Sequence, residues 1–344
     1  MSKLQYGPIT VHMKEKRGGR IEFEFTNNES KNLYLLNYHT PLEGIRSCYL
    51  SVKHKASGEK QKYNGIIAKR PPPTKGSHCM LLKPGESRST TVNLTDAYTF
   101  PHSGEYTIEY TRPLVYFTED DMKKHSEDSP LPYHPKQHEF LPLTDPLTIY
   151  MGATPHKPRD EEPKRAPVDN VVVVNGSGDQ EKVIRDLHRE MVTIGYPMVI
   201  RAVKKNSKLY KTWFGDESYQ SHVLSVYEKC YHHLSNDVCK YQFGGSDCTG
   251  NDFAYTIQGT HKVFLCGLFK KASTKSRFSG DDSKQQTLVH EWSHAFGFTD
   301  DDGGHGYGSH TGQELAKHHP GIATHNADNY GYFYCDVMLE HHQN

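Results

Sequence analysis

Two histidines and a glutamate near the C-terminal end of the 344-residue sequence have the spacing of a metal site: His290, Glu291 and His294. Residues four apart share one face of an α-helix, so the two imidazoles can bind a single ion. Glu291 would then lie beside that ion, where its carboxylate can take a proton from a metal-activated water. The pattern predicts zinc-assisted hydrolysis of amide bonds.

A catalytic zinc site needs a third protein ligand and an open position for water. Three consecutive acids, Asp300, Asp301 and Asp302, follow the two histidines at a glycine-rich turn. One of these carboxylates would complete a His-His-Asp site, and the spacing alone leaves Asp300 and Asp301 open.

These residues must be positioned by a buried helix. Ser283 and Gln286 form the sequence pattern of a capping box at its start, and Gly297 is the expected C-cap at its end. The apolar residues between them give the helix enough hydrophobic surface to lie inside a domain: Leu288, Val289, Trp292, Ala295 and Phe296.

The segment resembles the deuterolysin-type metalloendopeptidases, or aspzincins, which carry HExxH followed by GTxDxxYG. Thr299 with Asp301, and Tyr307 with Gly308, match the two ends of that second motif; Phe298 replaces its first glycine, and three extra residues precede the tyrosine. The resemblance implies one Zn²⁺ per chain, with metal ligands His290, His294 and Asp301 and catalytic residues Glu291 and Tyr307.

Two alternatives stay open. The stretch from His290 to Asp300 also reads HExxHxxGxxD, a metzincin-like spacing in which Asp300 would be the third ligand. Alternatively, the lengthened loop builds no third ligand, and the chain is an inactive protease-like binding protein.

The downstream segment from Asn326 to Phe333 is similar to a family segment that lines the pocket for the residue after the cleaved bond. In lysine-directed relatives an Asp and a Glu three residues later line this pocket. Asp328 retains the Asp, and Gly331 stands in place of the Glu. The resemblance implies that Asp328 binds substrate, with a weakened preference for Lys or Arg.

Length and pattern predict two domains in an α+β protein. Residues 1–151 contain short alternating strands, as at Ile21, Phe23 and Phe25, and we expect an antiparallel β-sandwich. Residues 152–167 form a Pro-rich charged linker with a candidate processing site at Lys164-Arg165. Residues 168–344 are expected to form a mainly helical zincin-type domain. The first domain also resembles an aspzincin propeptide, which implies a latent precursor with an intramolecular inhibitor.

The amino-acid composition argues against some classes of binding partner. Forty-one basic and 41 acidic residues give a formal net charge of zero, which argues against nucleic-acid binding and against electrostatic attachment to a membrane. We expect protein or peptide substrates instead. The family resemblance implies a disulfide between Cys248 and Cys266, which favours a secreted or extracellular protein, although the N-terminus shows no apolar signal core.

Overall fold

A computed structural model of the protein describes residues 7–75, 78–126, 129–134, 137, 142, 144–154, 170–301 and 306–343. The chain forms two compact units. One is built from the N-terminal part, and the other from the C-terminal part together with the short segment Ile67–Pro71. Most of the predicted linker, including Lys164-Arg165, lies outside the described residues, as does Asp302.

The N-terminal unit is built from short antiparallel strands. They are β1 Ile9–Lys16, β2 Arg20–Asn27, β3 Leu33–Leu36, β4 Leu50–His54, β6 Cys79–Leu82, β7 Ser87–Asn93, β8 Gly104–Tyr110, β9 Tyr116–Thr118 and β10 Leu147–Met151, with a helix α1 at Glu119–Lys124. They pair as three sheets in the orders β1-β2-β7, β10-β8-β4 and β6-β3-β9. Alternate residues of β2 are buried, as their pattern predicted. The sandwich arrangement of these sheets stays a prediction.

The C-terminal unit combines one sheet with most of the helices. Its strands are β5 Ile66–Lys69, β11 Val171–Val174, β12 Cys239–Phe243, β13 Ala254–Ile257 and β14 Lys262–Leu265, in the order β11-β12-β14-β13-β5. Its helices are α2 Gly178–Glu190, α3 Tyr196–Lys204, α4 Lys208–Phe214, α5 Gln220–Asn236, α6 Gly267–Lys271, α7 Lys284–Gly297, α8 Ser309–His318, α9 Pro320–Ala323 and α10 Ala327–Gln343. The protein is therefore α+β, as predicted. No helix of the described residues combines the length and apolar character that crossing a bilayer requires.

Helix α7 is the central element of this unit. Every residue from Gln285 to Gly297 is buried, and the helix packs against α5, α10 and β13. The aromatic side chains of Trp213, Trp292 and Tyr330 belong to the same hydrophobic core. Burial on all sides holds the backbone of α7 rigidly, which is what a precisely spaced set of ligands needs.

The ends of α7 differ from the sequence prediction in two details. Ser283 caps the helix through its hydroxyl, which accepts from the Gln286 amide, but the Gln286 side chain donates to Asp328 instead of closing a capping box. Gly297 is the last helical residue, and Phe298 is the C-cap in the left-handed region, at φ 58°. The prediction for Gly297 was wrong because this glycine is needed for close packing: a Cβ there would lie 2.5 Å from Cγ1 of Val226.

Candidate metal centre and active site

Helix α7 places His290 and His294 one turn apart with both rings fully buried. Their Nε2 atoms lie 3.0 Å apart, and Oδ1 of Asp301 lies 3.3 Å from each of them. Ligand atoms bound about 2.0–2.1 Å from a tetrahedral Zn²⁺ are separated by ~3.3 Å. Two imidazole nitrogens and a carboxylate oxygen are also ligands that zinc accepts, so the three residues fit this ion.

Asp301 reaches the histidines because the chain reverses at Phe298. The following residue, Thr299, is held to α7 by a backbone hydrogen bond to Ser293. Asp300 takes a different position: its carboxylate accepts from the Asp301 amide at 2.9 Å, and its own amide donates to the His325 carbonyl. Of the two candidate ligands, the structure brings Asp301 to the histidines.

The second nitrogen of each imidazole is also held. Nδ1 of His290 lies 2.7 Å from Oδ1 of Asp328, and Nδ1 of His294 lies 2.9 Å from the carbonyl oxygen of Thr299. A carbonyl can only accept, so Nδ1 of His294 carries a proton, and Nε2 is the nitrogen that can offer a lone pair to a bound ion. Such outer partners orient metal-binding histidines and strengthen them as ligands.

Burial and neighbouring charge set the protonation of this cluster. Burial alone would lower the pKa of His294, but the Asp301 carboxylate raises it to about 9. Burial lowers the pKa of His290, a shift that Asp301 and Asp328 only partly oppose. A cation bound here would displace the proton that His294 and Asp301 otherwise share.

Glu291 and Tyr307, the two predicted catalytic residues, lie beside the cluster. Burial raises the pKa of the Glu291 carboxyl to about 8, and neither of its oxygens has a hydrogen-bond partner among the described residues. The Tyr307 hydroxyl lies 2.9 Å from Oδ2 of Asp301 and 2.7 Å from the carbonyl oxygen of Ala68. The longer loop before Tyr307 therefore does not remove it from the site.

Asp328, the predicted substrate-binding residue, contacts both a metal-site histidine and a lysine. The oxygen that accepts from His290 also lies 2.8 Å from Nζ of Lys69, while its other oxygen accepts from the Gly308 amide. Burial would raise the pKa of Asp328, but Lys69 and His290 together hold it well below its usual value.

Two residues of this pocket were missed in the sequence. Lys69 is 213 positions before Asp282, whose Oδ1 lies 3.2 Å from its ammonium, so no local periodicity connects them. Asp282 supplies a second carboxylate although Gly331 replaces the expected one. A Cβ on Gly331 would lie 2.7 Å from the Gln286 side chain, so a larger residue there would require that side chain to move. The Pro-rich run after Lys69-Arg70 is the only sequence feature that could have drawn notice to the segment.

The expected disulfide is also formed. Cys248 and Cys266 are bonded, with their Cα atoms 5.4 Å apart. Cys266 directly follows β14, so the bridge ties the loop before β13 to the C-terminal end of its antiparallel partner strand, which lies beside the start of β13.

Several known proteins are similar to this chain in sequence. Residues 199–335 match the family model described as lysine-specific metallo-endopeptidase, the aspzincin model. An extracellular protease of Aeromonas hydrophila is 26% identical over 327 residues, covering 91% of this chain and 87% of that protein. A peptidyl-Lys metalloendopeptidase of Pleurotus ostreatus is 37% identical over 134 residues, covering 36% of this chain and 71% of the relative.

Other relatives match over a shorter stretch of this chain. The chain is 40% identical to a peptidyl-Lys metalloendopeptidase of Grifola frondosa over 129 residues and spans 34% of that protein's length. Among solved structures, a zinc peptidase from Grifola frondosa is 31% identical and covers 47% of this chain and 97% of its own, with a TM-score of 0.38.

Proposed function

This chain belongs to the aspzincin family of metalloendopeptidases, and we propose that it hydrolyses peptide bonds with a Zn²⁺ held by His290, His294 and Asp301. The observation that carries the proposal is the separation of their three ligand atoms, 3.0–3.3 Å, in a fully buried cluster. A zinc ion bound there supplies Lewis acidity, which polarises a carbonyl and makes water a nucleophile near neutral pH.

Glu291 is the proton carrier. Its carboxylate accepts a proton from the attacking water and delivers it to the nitrogen of the leaving amine. In the part of the chain that the structure describes, no hydrogen bond engages its oxygens, which leaves them available for that proton.

Tyr307 stabilises the developing negative charge. Its hydroxyl already lies 2.7 Å from a peptide carbonyl oxygen, that of Ala68, so it can donate to a substrate carbonyl in the same position. A preorganised donor of this kind contributes on the order of 3 kcal/mol to transition-state stabilisation.

The proposed substrates carry a basic residue after the cleaved bond. Asp328 is fully buried and binds a lysine ammonium at 2.8 Å, which supports its assignment to this subsite. Two fungal relatives, from Grifola frondosa and Pleurotus ostreatus, are named peptidyl-Lys metalloendopeptidases, in agreement with such a preference. The substrates are proteins or peptides.

We also propose that the protein is a secreted, latent precursor whose N-terminal domain acts as an intramolecular inhibitor. The Aeromonas relative, an extracellular protease, aligns with 91% of this chain and so extends far into the N-terminal half. A cleavage site for an unrelated specific protease, placed in the linker, tests latency. Activity should rise after the linker is cut, and equal activity before and after would contradict latency.

The main test measures bound zinc and casein hydrolysis for the wild type and Glu291→Ala. We expect about one zinc per chain in both proteins and hydrolysis by the wild type alone. Zinc without hydrolysis in either protein, persisting after the linker is cut, would contradict peptidase activity. Neither zinc nor hydrolysis would instead favour a protease-like binding protein.

A further inference from the structure

A short piece of the N-terminal sequence is built into the proposed peptidase unit. Residues Ile67–Pro71 belong to this unit, and β5 is the outermost strand of its sheet, next to β13. The carbonyl of Lys69 accepts from the Phe253 amide at 3.0 Å. Ile67, Ala68, Lys69 and Arg70 are all buried. An added edge strand is a common way for a protein to hold an extended peptide.

The peptide bond between Ala68 and Lys69 lies among the catalytic side chains. Its carbonyl oxygen lies 2.7 Å from the Tyr307 hydroxyl. On the other side of the bond, the backbone of Lys69 lies near the Glu291 carboxylate. These are the positions that a scissile carbonyl and a leaving nitrogen would take.

The Lys69 side chain fills the pocket for the residue after that bond. Its ammonium lies 2.8 Å from Oδ1 of Asp328 and 3.2 Å from Oδ1 of Asp282. The ring centroids of Phe253 and Tyr332 lie 5.3 and 5.7 Å from the same nitrogen. Burial alone would lower the pKa of Lys69, but Asp282 and Asp328 raise it above its ordinary value, so the ammonium stays charged.

Asp282 gives the pocket a second carboxylate from a different element. Tyr332, which lies on α10, donates to the same oxygen of Asp282 at 2.8 Å and so fixes its position beside the ammonium. A buried lysine is tolerated only with such pairing. A neutral side chain would leave two carboxylates without their cation.

We propose that this chain holds Ile67–Pro71 as an internal substrate and hydrolyses its own Ala68–Lys69 bond, with Asp282 and Asp328 together selecting the lysine. This inference depends on the proposed peptidase activity. Water adds to the Ala68 carbonyl carbon, the C–N bond breaks, and Glu291 passes the water's proton to the Lys69 nitrogen. The products are a carboxylate at Ala68 and a new N-terminus at Lys69. Before the cut, the segment competes with other substrates for the same pocket.

The test starts with full-length protein prepared without zinc. Zinc is added, and the products are followed by intact mass and N-terminal sequencing. The expected new N-terminus is Lys-Arg-Pro-Pro-Pro, beginning at Lys69. The same samples receive a synthetic peptide with the sequence of residues 65–71. Wild type should cut this peptide after a lag, whereas Lys69→Ala should cut it without one. Lys55→Ala, which removes an exposed lysine, should match the wild type.

The outcomes separate the two proposals. Hydrolysis of the synthetic peptide by Lys69→Ala, with the wild-type chain uncut at Ala68–Lys69, overturns self-processing and leaves the peptidase activity standing. No hydrolysis by Lys69→Ala despite bound zinc, persisting after the linker is cut, overturns both. If Lys69→Ala does not fold, Lys69→Arg replaces it, and an unchanged rate of self-cleavage would overturn selection of lysine by this pocket.

Asp282→Asn tests the second carboxylate. Self-cleavage should slow by on the order of tenfold or more, because one of the two carboxylates facing the ammonium loses its charge. Asp281→Asn is the matched control: Asp281 binds Arg277 rather than Lys69, so its loss should leave the rate close to wild type. Zinc content should stay at one per chain in both. Equal rates for the two variants would show that Asp282 does not select lysine.

Discussion

Two clusters in the C-terminal unit contain the same residue types, two histidines and an aspartate. One is His290, His294 and Asp301; the other, here called the surface cluster, is His233, Asp237 and His261. In the first, all three side chains are fully buried. In the surface cluster they are 36%, 38% and 13% exposed, so water can satisfy them.

The two clusters also differ in the distances between their nitrogen and oxygen atoms. In the surface cluster, Oδ2 of Asp237 lies 2.6 Å from Nδ1 of His233 and 3.1 Å from Nε2 of His261. A single oxygen hydrogen-bonds both rings, and these contacts satisfy the groups directly. In the buried cluster, outer partners such as Thr299 hold the opposite ring nitrogen and leave Nε2 for an ion. Residue type alone therefore does not predict a metal site; burial and the partner of the second nitrogen decide.

The largest expected effect comes from Asp301→Ala. Zinc should be lost from the purified protein and kcat/KM should fall by on the order of a thousandfold or more, because the ion loses its charged ligand. Zinc content and peptide hydrolysis measure this. Asp237→Ala and Asp300→Ala are matched controls that should each keep one zinc. Loss of zinc from Asp300→Ala alone would restore the metzincin-like assignment.

Tyr307→Phe removes a hydroxyl while keeping the ring and its packing. We expect kcat to fall by about a hundredfold with zinc retained, since one donor to the developing oxyanion is lost. Steady-state kinetics, together with zinc analysis, measures the change. A loss of zinc in this variant would indicate that Tyr307 acts through its contact with Asp301 instead.

Asp328→Asn tests the role of the residues that bind the outer nitrogen, Nδ1, of the metal-site histidines. Zinc affinity should fall by roughly ten- to a hundredfold, because the His290 ring loses a charged acceptor. Competition with a chelator measures the affinity. His261→Ala, which removes a partner of Asp237 in the surface cluster, should leave zinc affinity unchanged. An equal fall in zinc affinity in both variants would contradict the proposed difference between the two clusters.

The smallest effect is expected for Asp237→Asn. Burial would raise the pKa of Asp237, but hydrogen bonds from His233 and His261 lower it below its ordinary value of 3.8. The ionised carboxylate thus stabilises the fold above the ordinary pKa, and this contribution is lost as pH falls through the folded-state pKa. For exposed groups it is about 0.2–1 kcal/mol. Thermal unfolding should show a small gap between wild type and variant at pH 6 that closes towards pH 2. A gap that widens on acidification would contradict this sign.

Local patterns predicted much of the site. The helical repeat that brings His290 and His294 together, and the strand alternation of β2, depend only on neighbouring residues. The position of Glu291 on the same helix likewise depends only on its neighbours in the sequence. Two local predictions were wrong because tertiary packing overrides the local pattern. Gly297 stays helical where it packs against Val226, and the Gln286 side chain binds Asp328 instead of capping its helix.

The residue that occupies the proposed substrate pocket could not be predicted in this way. Lys69 meets Asp282 and Asp328 across more than two hundred residues, and its own neighbourhood has the composition of an ordinary strand and turn. Because Gly331 replaces the family's Glu, the sequence predicted only a weak preference for a basic residue. The second carboxylate beside Lys69 belongs to Asp282, which lies on a different element and could not be foreseen.

The sequence by itself determined the helix with two histidines, the glutamate beside them and the acidic turn that follows, because all of these depend on spacing within one continuous stretch. Only the tertiary structure decided which aspartate faces the histidines, which carboxylates face the lysine, and that a distant strand occupies the site. Those choices depend on which backbones pack together, and burial then converts ordinary polar residues into a charged, water-excluded pocket.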